Sequence, residues 1–206
     1  MSSQNTGVTA IVLAGGLGRR MGGPNKLLLP LQGQTVVRRT VRQALASRCA
    51  RVLVVLGFEA ERVRRELEGL PVQFVLNEDF QEGMGSSVRA GAAAVPDDSA
   101  VVVCLADMPL AGADVIDALI DAYETGGDIQ ACQPVYEGKR GNPVLWGPAS
   151  LPALRQLRGD EGARRLLGGL GQGLALVEVG SDGVLLDADT PEDLRHLDNR
   201  AGLGRA

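Results

Sequence analysis

Valine-rich apolar runs recur along this chain: "VTAIVLAG", "RVLVVLG", "VQFVLN", "AVVVCLAD", "IQACQPVY", "PVLW" and "LALVEVG". The earlier ones are nearly continuous, with no alternation of polar and apolar residues. A strand with one wet face must alternate, so these belong to a sheet covered on both sides. Helical patterns lie between them. "TVVRRTVRQALAS" opens at a candidate N-cap, Thr35; "EAERVRRELEGL" is charged and amphipathic; "SSVRAGAAAV" and "GADVIDALIDAYETG" follow the third and fourth runs. Near the end, "TPEDLRHL" places Thr190 as N-cap, Pro191 at the first helical position and Asp193 in the capping-box place. Alternating strands and helices predict an α/β fold with a mostly parallel sheet.

The stretch from about Ile129 to Val179 has another character, with short strands, glycine- and proline-rich connections and the helical patterns "LPALRQLRG" and "EGARRLLGGL". It reads as an elaboration of the same domain that adds an antiparallel strand. A length of 206 residues suits one globular domain with a sizeable core. A formal net charge of -4 argues against general nucleic-acid binding, which needs a basic surface. No apolar run approaches the roughly 18 residues of a membrane span, and "MSSQNTG" is unlike a signal peptide, so the expected location is the cytoplasm. Cys49, Cys104 and Cys132 lack zinc or redox spacing and read as buried thiols. The one histidine, His196, sits in a polar helical pattern, which disfavours a histidine-based triad or metal site.

The first apolar run leads into "LAGGLGRRMGGPNK", which holds five glycines, two arginines and a lysine. A plain turn needs one or two glycines and no cations. Glycine-exposed amides and fixed cations at the end of a parallel strand make a cradle for phosphate. It is not a Walker A loop, because Lys26 is followed by Leu27. It also fails as a dinucleotide fingerprint, since Met21 stands where the third glycine or alanine belongs. The nearest acidic residue, Glu59, lies about twice the usual roughly 20 residues away.

"LAGGLGRRMGGPNKLLLPLQGQTVV" resembles the signature of nucleotidyltransferases that join a nucleoside triphosphate to a phosphorylated acceptor: a small-residue turn, Arg-Met-Gly, then a lysine. "NEDFQEGMGSSVRAG", "CLADMPL", "RGNPVLW", "GDEGARRLL" and "DADTPEDL" follow in an order similar to that of the molybdenum cofactor cytidylyltransferases and their guanylyltransferase relatives. The resemblance implies a Rossmann-like three-layer nucleotidyltransferase fold. It further implies Mg²⁺-dependent transfer of CMP from CTP to the molybdenum cofactor phosphate, with loss of pyrophosphate. One domain over 1–206 is expected, with about 7–110 holding the nucleotide, about 111–198 the acceptor, and a polar tail after 198. Transient contact with a client molybdenum enzyme would accompany delivery of a labile product.

Residue by residue, the resemblance places Leu13, Ala14, Gly15, Gly16 and Gly18 around the nucleotide, and Arg19 and Lys26 on its phosphates. Arg20 has no separate assignment. Asp107, at the end of a buried run, takes the metal role, and Asp189 a second metal-facing one; the nearby Asp187 is not separable from it by position. Asn77 faces base or ribose, or shapes a turn. Gly83, Gly85, Ser86 and Ser87 open a helix whose amides face the nucleotide or merely cap it. Arg140 and Asn142, flanking Gly141, hold the acceptor or form a hairpin turn. Lys139 reads as solvated, Trp146 as core, and Arg164 and Arg165 as steering cations or a wet helix face. Gly15 stands where cytidylyltransferases commonly carry alanine and the GTP-using relatives glycine. The alternatives are therefore a guanylyltransferase, a transferase for another phosphorylated acceptor such as a sugar phosphate, or a non-catalytic carrier of the cofactor.

Overall fold

The computed structural model describes residues 7–16, 25–159 and 163–203. In chain order the elements are β1 (Thr9–Ala14), the hairpin β2 (Pro30–Leu31) and β3 (Gln34–Thr35), α1 (Val36–Ala46), β4 (Arg51–Leu56), α2 (Ala60–Glu66), β5 (Gln73–Leu76) and α3 (Met84–Ala93). The second half holds β6 (Val101–Leu105), α4 (Ala113–Thr125), β7 (Ala131–Tyr136), β8 (Lys139–Arg140), β9 (Val144–Trp146), α5 (Leu151–Leu154), α6 (Arg164–Leu167), β10 (Leu174–Glu178) and α7 (Pro191–Leu203). Among the described residues one sheet runs β10-β7-β9-β6-β1-β4-β5, with β8 paired to β7. β9 is antiparallel to both β6 and β7, and β8 is antiparallel to β7. The other strand pairs of that sheet are parallel.

Alternation along each strand divides the core in two. Ala10, Val12 and Ala14 of β1 join Val54, Cys104 and the buried faces of α1, α2, α4 and α7. Ile11 and Leu13 join Val55, Val103, Trp146 and the residues of α3, α5 and α6. The central strands β1, β4 and β6 therefore bury both faces, as their continuous apolar runs require, and three layers result. Trp146 is fully buried. All three cysteines are free thiols, Cys49 half-buried and the others buried. Burial pushes the Cys49 and Cys132 thiols up to about 11.

Three expectations need adjustment. Besides β9, the short β8 arm is also antiparallel. Among the described residues the patterns "LPALRQLRG" and "EGARRLLGGL" show four α-helical residues each. α7 continues past 198 to Leu203, where a polar tail was expected. Its polar residues have partners: Asp198 accepts from the Gln32 amide at 3.1 Å, and Arg200 pairs with Asp182. The capping box forms as the spacing predicts, with Thr190 and Asp193 exchanging bonds of 2.8 and 3.1 Å. Among the described residues no helix is long and apolar enough to cross a membrane.

Candidate active site

β1, β4, β5, β6, β7 and β10 all end on one edge of the sheet, and ligands of open α/β sheets bind there. Gly15 and Gly16 leave β1 at this edge. Gly15 packs on the backbone of Gly57 after β4; a Cβ on Gly15 would lie 3.2 Å from the Gly57 nitrogen, and one on Gly57 would lie 2.7 Å from the Gly15 oxygen. Gly18, Arg19 and Arg20 fall outside the described residues. The chain is described again at Asn25, whose Oδ1 accepts from the Leu27 amide at 3.1 Å and caps a short 3₁₀ turn over Lys26–Leu28.

That turn aims Lys26 at two carboxylates. Its Nζ lies 2.5 Å from Asp107 Oδ2 and 2.5 Å from Asp189 Oδ1. These residues are separated by 81 and 163 positions from Lys26, so the fold alone unites them. The Lys26 side chain is 13% exposed and the two carboxylates 21% each, which makes the cluster a partly sheltered one. Burial by itself lowers the Lys26 pKa, but the charge and hydrogen bond of Asp107, then those of Asp189, more than offset it and hold the ammonium above its ordinary range. Asp187 is exposed, whereas the Lys26 ammonium engages Asp107 and Asp189. Its carboxyl is raised by desolvation, then by the charges of Asp189 and Asp107. Proximity thus separates the two acids, and Asp189 is the one on Lys26.

Three chain segments meet here. The Ala188 amide donates to the Asp107 carbonyl at 2.9 Å, and the Asn142 amide to the Val184 carbonyl at 3.0 Å. Side chains are excluded where they cross: a Cβ on Gly183 would fall 2.1 Å from the Leu110 oxygen, and one on Gly141 2.4 Å from the Val184 oxygen. Sequence reasoning had no signal for this junction, because it joins loops distant in the chain.

Asn142 is half-buried at the junction, whereas Lys139 and Arg140 stand exposed on the β8 arm. Arg164 and Arg165 are exposed. Asn77 and Ser86 belong to one hydrogen-bonded group at the start of α3. Asn77 is buried, and its Nδ2 donates to Ser86 Oγ at 2.8 Å and Ser87 Oγ at 3.1 Å, while its Oδ1 accepts from the Asp79 amide at 3.1 Å. Ser86 Oγ donates in turn to the Gly83 carbonyl at 2.8 Å. These side chains fasten β5 to the start of α3. Gly83 and Gly85 lie in the same entrance to that helix.

For a divalent metal, Asp107 and Asp189 present hard carboxylate oxygens around a point already held by a positive charge. Two carboxylates completed by phosphate and water suit Mg²⁺ or Mn²⁺. Among the described residues no cluster of three or more acidic, histidine or cysteine side chains could hold a metal without such help. The residues present fit a metal that arrives with phosphate.

A mostly parallel sheet, glycines at its carboxyl edge and a lysine between two carboxylates fit a nucleotidyltransferase. Residues 10–176 match the MobA-like NTP transferase domain, and the chain belongs to that family. It is 31% identical to nicotine blue oxidoreductase of Paenarthrobacter nicotinovorans (92% of this chain, 96% of that protein) and 34% identical to the purine catabolism protein PucB of Bacillus subtilis (89% and 92%). The molybdenum cofactor cytidylyltransferase of Escherichia coli is 27% identical over 90% of this chain and 93% of its own. Among solved structures, an Rv0371c homologue from Mycobacterium sp. strain JC1 superposes with a TM-score of 0.84 at 30% identity, covering 96% of this chain and 98% of that one. The manganese complex of Mycobacterium tuberculosis Rv0371c superposes at 0.79 with 26% identity, covering 94% and 98%.

Proposed function

We propose that the protein transfers CMP from CTP to the terminal phosphate of the molybdenum cofactor, releasing pyrophosphate, in the cytoplasm and with Mg²⁺. The observation that carries this reading is Lys26, which follows the glycine-rich stretch in sequence, held between Asp107 and Asp189. In the reaction an acceptor phosphate oxygen forms a bond to the α-phosphorus as the bond to pyrophosphate breaks. Negative charge is high throughout, so the protein's work is positioning and charge stabilisation. Gly15 and Gly16 let backbone amides approach the phosphates, with Leu13 and Ala14 leading into that turn. Lys26, and Arg19 from the same loop, neutralise the pyrophosphate as it leaves. Asp107 and Asp189 would hold Mg²⁺, which supplies charge neutralisation on the phosphate oxygens. Arg140 and Asn142 take the acceptor side.

GTP in place of CTP is the second reading, and Gly15 favours it by resemblance. The contact of Gly15 with Gly57 offers a packing reason for that glycine, so CTP stays first. Similarity to a protein named as an oxidoreductase raises redox chemistry as a rival, against which stands Met21 in place of the third fingerprint residue. A carrier that hands on the cofactor, or a contact with a client molybdenum enzyme, would use the same acceptor residues. The deciding experiment is pyrophosphate release with Mg²⁺ and molybdenum cofactor, offering CTP, GTP, ATP and UTP separately, with Asp107→Ala as control. Turnover with CTP that Asp107→Ala abolishes is expected. Preference for GTP selects the second reading, and silence with all four sinks both.

A further inference from the structure

Thr40 is a buried hydroxyl on an otherwise apolar helix face. Its buried neighbours on α1 are Val36, Val37, Val41 and Ala44. A polar group in such a place costs free energy unless it is hydrogen-bonded. A threonine inside a helix ordinarily turns its hydroxyl to the carbonyl four residues back. Here Oγ1 lies 3.2 Å from the Val36 carbonyl but 2.8 Å from that of Ala106, so the hydrogen's better acceptor is on another element. Ala106 is itself buried and lies one residue past the last β1–β6 pair, Leu13 with Leu105. Thr40 thus meets a carbonyl beyond the reach of that ladder.

The next residue is Asp107. Two peptide planes flank its Cα, and together they set the direction of its side chain. The plane after it is held by backbone alone: the Asp107 carbonyl accepts from the Ala188 amide at 2.9 Å, and the Met108 amide donates to the Leu105 carbonyl at 3.1 Å. The plane before it contains the Ala106 carbonyl that Thr40 holds. Of these three anchors, Thr40 alone is a side chain, and therefore the one a substitution can remove.

We propose that Thr40 is a positioning residue of the active site, its hydroxyl fixing the 106–107 peptide so that the Asp107 carboxylate faces Lys26 and Asp189. The functional consequence rests on the reading of Asp107 as a metal- and phosphate-handling carboxylate; the geometric part does not.

The chain has two lysines, Lys26 and the exposed Lys139, so ¹³C-lysine labelling gives two side-chain signals to follow. Thr40→Val keeps the shape and removes the hydroxyl, and Thr40→Ser keeps the hydroxyl. The Lys26 ε-methylene signal should move towards that of Lys139 in Thr40→Val and stay at the wild-type position in Thr40→Ser. Retention of Mn²⁺ in the presence of CTP or GTP, followed by the electron paramagnetic signal of free Mn²⁺, should weaken about tenfold or more in Thr40→Val and recover in Thr40→Ser. Both are recorded well below the melting temperature of each variant. Should Thr40→Val not fold, Thr40→Ala against Thr40→Ser makes the same comparison. A Lys26 signal unmoved by loss of the hydroxyl, or moved equally by serine, overturns the proposal. Wild-type protein that retains no Mn²⁺ with either nucleotide overturns the metal reading instead, and the lysine signals still decide the role of Thr40.

Discussion

Replacing Lys26 by methionine would remove the cation that Asp107 and Asp189 share. Removing one partner of a sheltered ion pair costs more than the pair is worth, because the remaining charge keeps its desolvation penalty. With the side chains 13% and 21% exposed, Lys26→Met should lose about 1–3 kcal/mol at pH 7, measured by urea unfolding. The pH dependence has a definite sign. The folded-state pKa of Lys26 is raised, so its contribution is fully present below the ordinary lysine value of about 10.4 and fades as pH climbs through the higher folded value. The gap between wild type and variant should therefore be flat across neutral pH and close only above about pH 10. Asp187 carries the opposite sign. Its raised pKa means that the ionised carboxylate opposes folding above that pKa and ceases to do so as pH falls through it. Asp187→Asn should stabilise the metal-free protein at pH 7, by no more than about 1 kcal/mol because the group is exposed and screened. The gain should vanish near pH 4. An Asp187→Asn protein less stable than wild type at pH 7 would mean that its carboxylate has a favourable partner.

At the scale of elements, the junction of the 107–111, 140–143 and 182–185 segments is tightly packed, backbone against backbone. Gly183→Ala would drive a methyl group to 2.1 Å from the Leu110 oxygen, and the loop carrying Asp189 would have to shift. We expect a loss of about 2–4 kcal/mol and of most turnover, whereas Gly16→Ala, with nothing within 4 Å of its Cβ, should leave the melting temperature unchanged. Thermal melts of both variants check this. The junction also shows what could be read beforehand. Strands β1, β4 and β6 were legible because burial on both faces demands continuous apolar runs. The α7 cap was legible because the Thr190–Asp193 exchange is local. Asp107 was legible because a carboxylate ending an apolar run must sit at the sheet edge. Glycines 141 and 183 were not, since their reason for being small is a backbone far away in sequence. The Asn77–Ser86 bond was not legible either, since two polar side chains nine residues apart carry no pattern that shows them meeting. The short α5 was over-read, because apolar spacing signals a buried face without bounding how long the helix lasts.

At the scale of the molecule, a chain of net charge -4 must attract a triphosphate through a local field against its overall charge. Lys26 is the described cation at the centre of that field, and two carboxylates already engage it. A nucleotide alone brings more negative charge to those carboxylates, and a metal alone must compete with the ammonium that already engages both. Together they exchange partners without leaving a charge uncompensated: the phosphates can take Lys26 while the metal takes the carboxylates. Binding should therefore be strongly synergistic. A ligand at 100 times its Kd stabilises the folded state by about 2.7 kcal/mol, which for a chain of this size raises the melting temperature by about 5–10 °C. We expect that rise with Mg²⁺ and CTP together, a shift near zero with either alone, and a smaller rise with GTP. In Asp107→Ala the synergy should disappear even where some nucleotide binding survives, because one of the two carboxylates exchanged is gone. Equal shifts with CTP in the presence and absence of Mg²⁺ would show that Lys26 does not trade its carboxylates for phosphate, and that the cluster serves the fold and not the transfer.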